Sequence, residues 1–169
     1  EVGLRVSIAS GIAHNLRGYH PTGTAGCLCA GAAAARLLKL SATQTVHALA
    51  IAATQAAGLY CAVQAGAMTK RMHAGRAAQA GVVAAMLAEK GFTGASNVLE
   101  AQHAGYMTTL AENTDLMPLV ATLGTEWETL QVGFKAHAAC ASAHTTIDAV
   151  GALLKRGLKR GHLDSLGVF

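Results

Sequence analysis

The sequence predicts an all-α fold built mainly from small residues, and three observations carry that prediction. Alanine dominates the 169-residue chain, glycine numbers 19, and aromatics make up only 4%. A chain poor in aromatic and β-branched runs and rich in alanine packs as helices with close backbone approach. Helix start and stop signals recur along it, including a capping-box pattern at Ser41-Ala42-Thr43-Gln44 and a cation-glycine stop at Lys90-Gly91. Extended character is confined to weak alternation over 127–134 and to the C-terminal edge. At most a short strand is expected at each.

Taken in order, residues 1–12 read as the end of a helix, followed by an irregular link through Gly11, His14, Asn15 and Gly18. Pro21 keeps His20 out of the helical region, and Thr22 or Thr24 is expected to cap the next helix, which runs to about Leu40. The capping box at Ser41 opens a second helix through Val46, Leu49 and Ile51 to about Ala57, with Gly58 as its stop. Two Ala-rich helices joined by one short turn form an antiparallel hairpin. A third helix runs from Thr69 through Val82 and Leu87 to Lys90-Gly91, whose cation suits the helix C-terminus. A short helix is predicted over 97–102, and another over 116–123, capped by Asn113-Thr114-Asp115 and closed by Gly124. The last helix is expected from about Ala139 to Arg160. Residues 1–160 thus read as part of one helical domain and 161–169 as the start of another. The chain opens at Glu1 inside a helical pattern, and Leu166-Gly167-Val168-Phe169 reads like a strand cut short, as expected of a segment of a longer protein.

Hydrophobic residues make up 52% and charged residues 13%, which excludes a disordered chain. Mean hydropathy is +0.36, but the apolar stretches are Ala and Gly broken by Arg, Lys, Gln or His, and no run of about 18 strongly apolar residues predicts a membrane span. Neither a signal peptide nor a fixed-period repeat is evident. The net charge is +4; the densest basic run, Lys155-Arg156-Gly157-Leu158-Lys159-Arg160, reads as a solvated helix end, and the chain lacks the broad basic patches with stacking aromatics that nucleic-acid binding calls for. Cys27, Cys29, Cys61 and Cys140 lack zinc or thioredoxin spacing and read as buried, reduced thiols of a cytoplasmic protein. No metal site is predicted.

Phosphate loops, nucleophile elbows and HExxH motifs are absent, and the nine acidic residues form no obvious catalytic pair. What remains is a set of cations and histidines at loop-to-helix junctions. His20 stands in a Gly-rich loop at a helix start, where free N–H groups attract anions and an imidazole transfers protons near neutral pH. Lys70 and His73, three residues apart, share one helix face. Lys135 precedes His137, Cys140 and His144, the last two spaced i, i+4 on the last helix. Such groups suit a substrate with two or three carboxylates. Each also has an ordinary reading, His20 as a cap or packing residue and the lysines as surface residues, and spacing alone leaves both open.

The motifs themselves resemble those of the MmgE/PrpD family. The match runs through Gly18-Tyr19-His20-Pro21-Thr22-Gly23-Thr24-Ala25-Gly26, Ala48-Leu49-Ala50-Ile51-Ala52 with Gln55-Ala56-Ala57-Gly58-Leu59, the segment from Lys70-Arg71-Met72-His73-Ala74-Gly75-Arg76 to Lys90-Gly91-Phe92-Thr93-Gly94, and Phe134-Lys135 with Cys140, His144 and Ile147-Asp148-Ala149. The resemblance covers nearly the whole chain. It implies a large helical domain beside a smaller α+β lid, a cofactor-free enzyme and a homodimer acting on a small di- or tricarboxylate without membrane or nucleic acid. It implies catalytic roles for His20, Lys70 and Lys135, and substrate contacts for His73, Cys140 and His144. The reaction implied first is a 2-methylcitrate dehydratase-like elimination, with iminodisuccinate-type epimerisation, cis-aconitate-type decarboxylation or a non-catalytic dimerisation role as alternatives. An earlier active-site segment with an Asp and a His, and a lid region with a Tyr, are not in this chain, so it is not expected to turn over substrate alone. Where many dehydratase-like members have Lys-Pro-Tyr-Pro, this chain has Lys135-Ala136-His137-Ala138. That loop loses both fixed φ angles, which puts the dehydratase assignment in doubt.

Overall fold

Pro21 sets the start of the central helix. It occupies the first helical position, where its missing N–H costs nothing, and His20 before it is extended at φ −95°, ψ 115°. The computed structural model describes residues 1–111, 114–159 and 161. The chain divides into two compact units, 1–130 and 131–169.

In the first unit the elements are α1 (Val2–Ser10), α2 (Ala13–Leu16), α3 (Pro21–Leu37), α4 (Ala42–Thr54), α5 (Cys61–Gln64), α6 (Thr69–Glu89), α7 (Tyr106–Leu110) and α8 (Met117–Val120). Helices α3, α4 and α6 form the centre, packed through Cys27, Ala34, Ala35, Ala48, Ile51, Ala52, Ala77, Ala80, Ala84, Ala85 and Ala88. Small side chains let the backbones nearly touch: a Cβ on Gly81 would stand 2.4 Å from the Gly31 nitrogen. A second cluster joins α1, α3, α7 and α8 through Val6, Leu28, Met107, Leu110 and Leu119. Larger apolar groups fill this side.

The capping box forms as predicted: Gln44 N–H donates to Ser41 Oγ, and the Gln44 side-chain oxygen accepts from Ser41 N–H at 3.0 Å. Lys90 caps α6 and Gly91 follows at φ +87°. The α3–α4 hairpin is present, with Gly31 against Ala48 and Ala52. Other boundaries differ. Neither Thr22 nor Thr24 is the cap, because Pro21 starts the helix itself; the Thr24 hydroxyl instead turns back toward the His20 and Pro21 carbonyls and meets His14 Nε2 at 2.6 Å. Helix α3 stops at Leu37 because Lys39 takes φ +55°. The link over 11–18 contains the turn of helix α2.

The helix predicted over 97–102 is a run of turns, and α7 begins only at Tyr106. Ala104 sits at φ +56° and Gly105 packs against its own chain, where a Cβ would lie 2.5 Å from the Ala101 carbonyl oxygen. That fold is too tight for a helix to run through. The helix predicted over 116–123 is reduced to α8, whose N-cap is Leu116; the Asp115 carboxylate before it accepts from Met117 N–H at 2.9 Å, and Asn113 of the predicted cap lies outside the described residues. Instead of extended chain at 127–134 there is a 3-10 turn, Glu128–Gln131. The Glu1 carboxylate accepts from the N–H groups of Glu128 and Thr129 at 3.2 and 3.3 Å, so bonds to a side chain from the other end of the unit stand in for a strand partner. No strand occurs among the described residues, only an isolated bridge between Tyr19 and Leu59.

In the second unit a 3-10 turn, Ala141–Ala143, leads into α9 (His144–Lys155). Helix α9 is shorter than predicted at both ends, with Gly157 at φ +94° just beyond it. Arg160 and the expected start of a further domain at 162–169 lie outside the described residues. No helix among the described residues is long and apolar enough to cross a membrane.

Candidate functional site

His20 reaches its position through two backbone hydrogen bonds that tie the chain before α3 to the chain after α4. His20 N–H donates to the Gly58 carbonyl at 2.9 Å, and Tyr60 N–H donates to the Gly18 carbonyl at 2.7 Å, on either side of the Tyr19–Leu59 bridge. This brings Gly58 under α6. Gly58 has φ +129°, and a Cβ there would lie 3.3 Å from His73 Nδ1. Glycine serves both needs, a backbone angle that side chains avoid and space for an imidazole.

Three predicted residues converge here. His20 Nδ1 lies 2.9 Å from His73 Nδ1, with ring centroids 5.1 Å apart. His73 is buried at 8% exposure, His20 is half-buried and Lys70, one turn before His73 on α6, is exposed. The Tyr60 ring stands edge-on to His20 at 5.9 Å. Burial holds the His20 pKa below its ordinary 6.5, and repulsion from His73 and then Lys70 adds to this. His20 is therefore neutral at physiological pH, able to accept a proton on one nitrogen and donate from the other.

In the second unit, Lys135 is exposed and its ammonium donates to the Ala139 carbonyl at 3.1 Å. His137 Nε2 meets Asp148 Oδ1 at 2.8 Å, and its ring stands edge-on to His144 at 5.1 Å. Cys140 Sγ lies 3.1 Å from Ser142 Oγ. Cys140 and His144 do not share a helix, as the spacing had suggested: Cys140 is extended before the 3-10 turn and His144 opens α9. His144 Nε2 is buried with no hydrogen-bond partner among the described residues.

Cys27 is buried, but Cys29, Cys61 and Cys140 are exposed, contrary to the expectation of buried thiols. Helix α3 is covered by packing on the side Cys27 faces and open at Cys29, two residues on. No disulfide, and no group of three or more metal-ligating side chains, occurs among the described residues. An open groove of about 650 Å³ lined by Ile12, Leu16, Leu59, Tyr60 and Cys61 lies beside Tyr60 and includes none of the predicted site residues.

Sequence reasoning missed Tyr60, for which no local signal exists, and read Gly58 as a helix stop and part of a family-like segment without giving it a place at the site. It passed over His14, a buried histidine on Thr24 that stacks edge-on against Tyr19 at 5.9 Å. The Tyr106 hydroxyl is pushed up to about 12 by burial, with Thr24 and Ser10 drawing it the other way.

The described residues of the first unit thus form an all-α domain in which two histidines meet beside an exposed lysine. The comparison with known proteins makes this particular. The MmgE/PrpD N-terminal domain model matches residues 1–119, and the chain belongs to the MmgE/PrpD family. It is 34% identical to the cis-aconitate decarboxylase-like protein oryM of Aspergillus oryzae, over 98% of this chain and 36% of that protein. It is 32% identical to a cis-aconitate decarboxylase of Aspergillus terreus, over 82% of this chain and 29% of the relative. The human cis-aconitate decarboxylase is 34% identical over 81% of this chain and 28% of its own length. The chain thus spans roughly a third of the length of these relatives.

Proposed function

We propose that the full-length gene product is a cofactor-free lyase that decarboxylates a small unsaturated tricarboxylic acid of the cis-aconitate type. The observation that carries this reading is His20: neutral, half-buried, at the start of α3 and next to the Lys70 charge. The names of the relatives then favour decarboxylation over the dehydration that the sequence motifs had put first.

The chemistry follows from charge. As the bond to the departing carboxylate breaks, its carbon is released as CO2 and the electron pair stays on the neighbouring carbon, in conjugation with a second carboxylate. Cations placed around that charge lower the barrier. Lys70 binds a remaining carboxylate beside His20, and His20, once it has taken a proton from water, gives that proton to the carbon and returns to its neutral form; carboxylate binding by Lys135 is proposed from the family resemblance alone. The Lys135 ammonium would exchange the Ala139 carbonyl for substrate. In keeping with the family resemblance, we propose that the protein works as a homodimer.

A second reading, 2-methylcitrate dehydratase-like elimination, draws on the same cations and the same family. Against it stands the 135–138 loop, where His137 pairs with Asp148 and no proline restrains the chain.

The test is proton NMR in D2O on the full-length gene product with cis-aconitate, 2-methylcitrate and iminodisuccinate. Loss of cis-aconitate signals with a one-deuterium product supports decarboxylation. Water loss from 2-methylcitrate would replace it with the dehydratase reading, and no turnover of any acid by folded protein would overturn the enzymatic proposal. Lys135→Ala is expected to reduce turnover about 100-fold; unchanged turnover would remove Lys135 from the mechanism.

A further inference from the structure

We infer that His73 is a positioning residue that shares a single proton with His20 and thereby determines whether the outer nitrogen of His20 acts as base or acid. The inference rests on the reading of His20 as the acid–base group, and it replaces a substrate contact for His73 with a contact to another side chain.

The geometry is specific. Two imidazoles meet Nδ1 to Nδ1 at 2.9 Å, a distance that requires one hydrogen between them. When His20 holds that hydrogen, its Nε2 carries a lone pair and is a base, while His73 carries its own proton on Nε2. When His73 holds the bridging hydrogen, His20 Nε2 bears a proton and is an acid. A proton taken up at His20 Nε2 lets the bridging hydrogen pass to His73 Nδ1, which leaves His20 neutral with Nε2–H and moves the positive charge to His73. The pair takes one proton without losing its contact. A second proton would put two N–H groups face to face at this distance and break the pair.

The surroundings hold the pair in place. Both rings are on structured backbone, His20 by Pro21 and the Gly58 bond, His73 in the first turns of the 21-residue α6. Gly58 leaves no side chain between the loop and the His73 ring. The charged and titratable groups facing the pair are Lys70 from α6 and Tyr60 from the segment before α5, and the Lys70 cation further resists the doubly protonated state.

The experiment uses the full-length gene product with 13Cε1-labelled histidine. His73→Asn places an amide near the Nδ1 position, able to donate or accept but not to titrate; His73→Leu removes the contact. In the parent the two rings should take up one proton jointly, in a single step seen at both resonances. In both variants the His20 resonance should titrate alone, with its midpoint moved from the joint step, because the imidazole that shares the proton is gone. His73→Leu should lower kcat roughly tenfold or more with KM little changed, and His73→Asn should recover most of that loss. Independent titration of the two rings in the parent, or a His20 midpoint unmoved in His73→Asn, would overturn the inference. If His73→Leu does not fold, His73→Asn alone decides it. A shifted midpoint in a protein that turns over none of the acids would refute the proposed function and leave the pair standing; turnover with an unmoved midpoint would do the reverse.

Discussion

Arg5 shows how one residue ties distant parts of the first unit together. Its buried guanidinium donates to the Glu1 carboxylate at 2.8 Å, to the Leu119 carbonyl and the Thr122 hydroxyl, and to the Thr122 and Glu126 carbonyls. Every donor direction of the fork is used. Arg5→Leu would leave three carbonyls without the guanidinium and remove the cation from the Glu1 carboxylate, at a cost of about 3 kcal/mol; urea denaturation of the variant checks this, and a loss below about 1 kcal/mol would show that water replaces the guanidinium. His14 and His20 act on stability through protons. Burial lowers the His14 pKa, with the Arg17 charge adding to it, and His20 is lowered mainly by burial. Both stay neutral in the folded chain where their unfolded counterparts, near 6.5, protonate. Their contribution is complete above pH 6.5 and is lost as pH falls through the lowered folded values. The melting temperature should fall steadily below about pH 6.5, and a flat profile down to pH 5 would contradict the neutral assignments.

Helix packing is the element-scale test, and glycine positions separate its two sides. At Gly81 an added methyl would strike the Gly31 nitrogen and the Ala30 backbone at 2.4 and 2.6 Å. Backbone atoms do not yield, so Gly81→Ala should separate α3 from α6 and cost about 2 kcal/mol. Gly75, also on α6, has nothing within 4 Å of its would-be Cβ, and Gly75→Ala should add roughly 0.5–1 kcal/mol through a stiffer unfolded chain. Opposite shifts in melting temperature from two identical substitutions on one helix would confirm the packing; equal shifts would refute it. The capping box at Ser41 was legible because its partners lie three residues apart. The 3-10 turn at Glu128–Gln131 was not, because the carboxylate that organises it comes from Glu1 at the other end of the unit.

On the scale of the whole molecule, Glu1 remains ionised far into acid. Burial pushes its carboxyl pKa up, but bonds from Arg5 and from the Glu128 and Thr129 backbone outweigh that and hold it at about 2. Its contribution is complete above 4.5 and fades only as pH falls toward 2. Acid loss in two stages is therefore expected, histidines first and this link later. A pH series of melts should resolve them, with the lower stage reduced in Arg5→Leu.

The sequence by itself determined the helical class, the small-residue core and the family. Composition, caps and motifs act over a few residues, and the residues around His20, Lys70 and Lys135 are recognisable as they stand. Only the tertiary structure decided which histidine touches which. His20 and His73 are 53 positions apart, and nothing in their spacing foretells a contact made by the Gly58 loop and the start of α6. Burial followed the same rule: it set His73 inside and left Lys70 exposed on the same helix face, because the neighbours that cover one and not the other arrive from elsewhere in the chain.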